Sequence, residues 1–238
     1  MVHLLLAIIY LAFISLGLPD SLLGSAWPSM RLQFGVPVSY AGAVSMIIAA
    51  GTIASSLLSD RLTRRLGAGR VTAISVGMTA VALFGFSASH AYWMLLFWAI
   101  PYGLGAGSVD AALNNYVALH YASRHMSWLH CFWGVGCTVS PYIMGAFLSR
   151  GNNWQGGYRT VAILQFVLTA LLFLSLPLWQ KRDDEATTGA SKEKTRVLGV
   201  SGALKIRGVP YMLTAFFCYC AVESTAGLWA SSYLVDVR

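Results

Sequence analysis

"GLGAGSVDAALNNYV", residues 103–117, places an aspartate, Asp110, inside a long apolar run. The nearest charges along the chain are Arg70 upstream and Arg124 downstream, so Asp110 has no sequence neighbour to pair with. Whether this run is a core helix or a membrane span decides the fold, and composition decides for the membrane. Residues of the hydrophobic class make up 57 % of the 238 and charged residues only 11 %, with a mean hydropathy of +0.63. A water-soluble domain carries about a quarter charged residues.

A helix needs about 20 apolar residues to cross the hydrocarbon core while satisfying its own backbone hydrogen bonds. Seven stretches qualify, over residues 4–27, 38–59, 70–89, 92–119, 127–149, 158–179 and 209–235. Only His3 precedes the first apolar run and Gly24 to Ala26 make a weak cleavage site, so this stretch reads as an uncleaved span. Cys131, Cys137, Cys218 and Cys220 lie in apolar segments without zinc-like spacing and read as small buried hydrophobes.

The basic residues set the expected orientation. Arg61, Arg64, Arg65 and Arg70 follow the second span, Arg124 follows the fourth, and Lys181, Arg182, Lys192, Lys194, Arg196, Lys205 and Arg207 follow the sixth. Arg31, Arg150, Arg159 and Arg238 fall on the other side. The N-terminus is therefore expected in the cytoplasm, with the chain a multi-pass protein of the plasma or inner membrane. The net charge of +7 reads as this asymmetry and not as a nucleic-acid footprint.

"QKRDDEATTGASKEKTRVLG", residues 180–199, is the one polar stretch and reads as a linker. The expected domains are a six-helix bundle over 1–180, a basic cytoplasmic linker over 181–208 and a seventh transmembrane helix over 209–238. A retinal protein needs a lysine in its seventh helix, and residues 209–235 contain none. With neither an HExxH metal motif nor a GxSxG elbow, no enzyme, metal or cofactor is expected.

At about 100° per residue, Gly103, Ala106, Gly107, Asp110 and Asn114 share one face of the fourth span, with Phe97 and Leu104 opposite. Small residues there permit close helix approach or leave room for a ligand. A carboxylate in mid-membrane costs several kcal/mol unless it is packed against a hydrogen-bond partner or faces a water-filled cavity. Asp20 in "SLGLPDSLLGSAWP" and Glu223 in "YCAVESTAGLWASSYL" repeat the pattern in the first and seventh spans, the latter with Tyr219 and Gly227 one turn to either side. Pro19 and Pro28 remove backbone donors, so the first span is expected to bend or break. Three lone acids without a buried Lys or Arg read as protonatable groups around an aqueous cavity, suited with flanking aromatic rings to a hydroxyl-rich solute.

Six helices, a long basic loop and a new span resemble the layout of the major facilitator superfamily. "SSLLSDRLTRRLGAGR", residues 55–70, is similar to that superfamily's loop motif G-x-L-[SA]-D-R-x-G-R-[RK] through Leu58, Ser59, Asp60, Arg61, Arg64 and Arg65, with Ser56 and Thr63 in place of the two glycines. "LGAGSVDAALNNY" resembles the fourth-helix signature of the fucose permease-like branch, sugar–proton symporters, through Asp110 and Asn114. Asp20 matches the branch's first-helix acid, His130 in "LHCFWGVG" its fifth-helix histidine, and Tyr219, Glu223, Trp229 and Tyr233 its seventh-helix pattern.

The resemblance implies an all-α membrane protein, the six-helix N-terminal half of a major facilitator fold plus a seventh transmembrane helix, and "SSYLVDVR" at its end implies a truncated chain. It implies proton-coupled sugar uptake by alternating access, with Asp110 as the proton-linked carboxylate and Asp20 as its partner or a sugar ligand. Asn114, Glu223 and Tyr219 would complete the site, and Asp60, Arg61, Arg64 and Arg65 would form a gating loop. His130, Gly103 and Gly107 are assigned to helix packing or coupling. The implied partners are a small solute, protons, the lipid bilayer and a missing C-terminal half or partner chain, without nucleic acid. "GCTVSPYIMG", residues 136–145, loosely resembles the antiporters' fifth-helix motif, which keeps a drug or metabolite exporter as the alternative, beside a non-transporting remnant.

Overall fold

The computed structural model describes residues 2–151, 153–189, 202 and 204–237, and its regular elements are all helical. They are α1 (Val2–Asp20), α2 (Leu22–Phe34), α3 (Tyr40–Leu66), α4 (Ala68–Ser87), α5 (Tyr92–His120), α6 (Arg124–Leu148), α7 (Trp154–Gly189) and α8 (Val209–Val237). Among the described residues, five apolar runs are long enough to cross a membrane: α1 with α2 as one run over Leu4–Phe34, then α3, α4, α6 and Trp154–Gln180 of α7. Small and polar residues leave α5 below that threshold, yet it runs between α3 and α4. Gly103 and Gly107 lie on the Ile48 and Thr52 carbonyls of α3, and Gly105 on the Ser75 carbonyl of α4. A helix wedged between two spans crosses with them, and the chain is an all-α membrane protein.

The first span breaks as expected, at Ser21, but it extends to Phe34 and not to residue 27. Gly35, at φ 64°, ends it in the left-handed conformation, its N–H and that of Val36 closing on the last-turn carbonyls. Pro19 leaves the Ser15 carbonyl without its helical donor. Gln165 of α7 fills that role, its Nε2 donating to the Ser15 oxygen at 2.7 Å while its Oε1 accepts from Thr79 of α4 at 2.6 Å. Three helices thus meet at one buried amide. Gln165→Leu should leave the Ser15 carbonyl unpaired, at about 1–3 kcal/mol, and lower the thermal midpoint in detergent. Adding Pro19→Ala, which restores the donor in sequence, should recover part of that loss; no recovery would separate the two residues.

The second span corrects an expectation. Asp60, Arg61, Arg64 and Arg65 are not in a loop but on the last turns of α3, which runs to Leu66. Thr63 can continue a helix where the family motif has glycine, so the chain turns only at Gly67, at φ 83°. Basic residues at that end suit the helix dipole, and Asp60 pairs with Arg64 one turn on. The sixth span also runs on, as α7 reaches Gly189; residues 190–201, with Lys192, Lys194 and Arg196, lie outside the described residues.

α1 packs on α6 through Gly17 and Gly136, whose backbones touch. Two apolar clusters fill the interior. One holds Trp27, Leu83, Phe86, Tyr102, Met144 and Tyr158, the other Leu5, Ile9, Phe13, Val109, Leu113 and Trp179. The cysteines depart from the expected burial, with Cys131 and Cys218 exposed and Cys137 and Cys220 half-buried. Cys137 lies at the α1–α6 contact, its amide beside Gly17.

Candidate functional site

Beside the first cluster, the break in the first span opens a cavity of about 510 Å³. Asp20, the last residue of α1, stands in its wall together with Ser21, Tyr102 of α5, Trp133 and Cys137 of α6, and Glu223 and Ser224 of α8. Both oxygens of the Asp20 carboxylate are held. The Tyr102 hydroxyl donates to Oδ1 at 3.1 Å and the Trp133 indole N–H to Oδ2 at 2.9 Å. One acid thereby ties together α1, α5 and α6. Across the cavity, Glu223 accepts a hydrogen bond from Tyr219 one turn earlier at 3.2 Å. Phe86 and Tyr158, stacked with centroids 5.4 Å apart, also line the wall.

α8 reaches the bundle through α2. Gly24 and Gly227 lie backbone to backbone, and one turn before Gly227 is Glu223. Further along the same two helices, Arg31 pairs with Asp236. The glycine contact thus borders the cavity through Gly227, and the ion pair joins α2 to α8 beyond it.

The structure divides the expected site residues. Asp20 and Glu223 share the cavity, with Tyr219 supporting Glu223. Asp110 lies outside the lining residues, eight residues beyond Tyr102 on α5, or about 12 Å along the axis. It is exposed and accepts from the Asn114 amide at 2.9 Å. His130, also exposed, bonds through Nδ1 to the Met126 carbonyl at 3.0 Å. Gly103 and Gly107 face α3, not the cavity. Tyr102 and Trp133 escaped the sequence reading, although Tyr102 immediately precedes the glycine run and Trp133 lies within "LHCFWGVG". No group of three or more metal-ligating side chains occurs among the described residues.

The model of the Major Facilitator Superfamily matches residues 9–238. The chain is 21 % identical to "Bypass of stop codon protein 6" of Saccharomyces cerevisiae over 246 residues, covering 95 % of this chain and 49 % of that protein. It is 23 % identical to the glucose/mannose transporter GlcP of Bacillus subtilis, covering 95 % of this chain and 57 % of GlcP. Synaptic vesicle glycoprotein 2A of Rattus norvegicus is 26 % identical over 152 residues, 62 % of this chain and 20 % of that protein. The chain spans about half the length of the first two.

Proposed function

This chain belongs to the major facilitator superfamily, and we propose that it serves a secondary active transporter that takes up a sugar or related polyhydroxylated solute together with a proton. The observation that carries the proposal is the cavity in which Asp20, held by Tyr102 and Trp133, faces Glu223. Carboxylates accept hydrogen bonds from sugar hydroxyls, and the rings of Trp133, Phe86 and Tyr158 offer apolar faces for the sugar ring. The name of GlcP, a glucose/mannose transporter, adds support for a hexose.

The mechanism is alternating access, in which two helical halves rock about a midplane site. Solute enters between the α1–α2 break and α8, and the Arg31–Asp236 pair also holds α2 to α8. A proton on a cavity carboxylate biases which face opens. A second half, from further chain or from a partner, completes the path. The distribution of Lys and Arg supports a cell-membrane location with the N-terminus in the cytoplasm.

The test starts with the intact mass of the protein from its source membrane, against the 25.7 kDa of this chain, so that the whole assembly is reconstituted. An inward proton gradient should accelerate uptake of labelled glucose or mannose into proteoliposomes, and an uncoupler should remove the acceleration. Asp110→Asn should abolish that acceleration if Asp110 is the coupling acid; unchanged gradient-driven uptake would sink that assignment. If hexoses fail to compete while lipophilic cations do, the exporter reading replaces the symporter. If neither is moved, the remnant reading stands.

A further inference from the structure

The charge balance of the cavity goes beyond a generic sugar site. Its wall holds two carboxylates, Asp20 on α1 and Glu223 on α8, and no Lys, Arg or His among the described lining residues. Arg31, the basic side chain on the neighbouring turns of α2, is engaged with Asp236. Among the described residues, the side-chain hydrogen bonds to Asp20 and Glu223 come from neutral donors: Tyr102 and Trp133 for the first, Tyr219 for the second. Neutral donors orient a carboxylate but do not neutralise it. In a cavity walled by packed helices, two such groups favour an occupant that brings positive charge. The aromatic side chains of Trp133, Tyr102, Tyr158 and Phe86 line the same wall, and aromatic rings attract ammonium groups. The volume of about 510 Å³ falls in the range that encloses small ligands.

Resting on the reading of this cavity as the solute site, we propose that it selects for a solute bearing an ammonium group beside its hydroxyls, an amino sugar, and rejects acidic sugars. The ammonium sits between Asp20 and Glu223 and the hydroxyls reach Ser21, Ser45 and Ser224. An anionic solute meets two like charges and no cation.

The test is equilibrium binding to the protein purified from its membrane and placed in lipid nanodiscs, using calorimetry with glucose, glucosamine and glucuronate at a pH that keeps the amine protonated. Glucosamine should bind at least about tenfold tighter than glucose, and glucuronate should not bind. Glu223→Gln should bring glucosamine to the level of glucose. Glucosamine should also slow the labelling of Cys137 by a maleimide, read on its own peptide by mass spectrometry, because Cys137 lines the cavity. Equal binding of glucose and glucosamine would overturn the amine preference and leave the sugar reading intact. Binding of glucuronate at the level of glucose would overturn it too. Failure of all three sugars would overturn both readings, and glucosamine binding that leaves Cys137 labelling unchanged would remove the site from this cavity.

Discussion

Gly17→Leu is expected to prevent stable assembly of the bundle. A side chain at Gly17 would land on the Trp133 carbonyl and the Cys137 amide of α6, and one at Gly136 on the Ile14 carbonyl and the Leu18 amide of α1. Each partner is backbone, so no rotamer change relieves the overlap and the helices must separate. Overpacking costs about 1–3 kcal/mol where side chains can yield, and the cost here exceeds that because they cannot. Separation also draws Trp133 away from Asp20, breaking the 2.9 Å bond that closes the site. The expected result is loss of monodisperse protein in detergent, or a thermal midpoint far below that of the parent. Gly145→Leu is the control on the same helix α6: a Cβ there meets nothing within 4 Å, so the midpoint should hold or rise slightly, as replacing a helical glycine favours the helix. Equal effects of the two substitutions would remove the glycine contact from the account of the fold.

Asp20→Asn is expected to leave the fold intact and strip the proposed transport activity. The amide matches the carboxylate in size and can keep both tethers, its oxygen accepting from the Trp133 N–H and its NH2 donating to the Tyr102 hydroxyl, which can reverse its role. What disappears is the charge and the capacity to take up a proton. A hydrogen bond to a charged group contributes about 1.5–3 kcal/mol, so solute binding through Asp20 should weaken on the order of 10–100-fold. Acceleration by a proton gradient should be lost if Asp20 shares in coupling. The measurements are the thermal midpoint, expected near that of the parent, and uptake with and without the gradient. Undiminished uptake would leave Asp20 as a structural clamp between α1, α5 and α6.

Trp133→Phe separates these roles in a milder way. It keeps a ring in the cavity wall but removes the donor to Oδ2, leaving Asp20 with Tyr102 alone. Solute affinity should fall severalfold with the gradient response retained, a split that uptake at varied solute concentration reads directly. Loss of both together would make the tether part of the coupling.

Sequence and structure divided the labour along a physical line. Long apolar runs with 11 % charged residues determined a helical membrane protein, because no other backbone satisfies itself in lipid without closing a barrel. Pro19 determined that the first span would break, because a missing N–H is a local fact. Lone acids in apolar runs marked the candidate site residues, because their cost is local too. Which acids meet was decided by tertiary packing. Asp20 and Glu223 lie more than two hundred residues apart, and the Gly24–Gly227 contact sets them on one cavity while leaving Asp110 outside its lining. The same holds for Tyr102 and Trp133, whose polar atoms matter only through the partner that α1 presents to them. The length of α3 beyond the apolar run was legible in Thr63 and Gly67 but was masked by the charges, which suit a helix end as well as a loop. Periodicity assigns a residue to a face of its own helix; only the packing of the helices decides what that face meets.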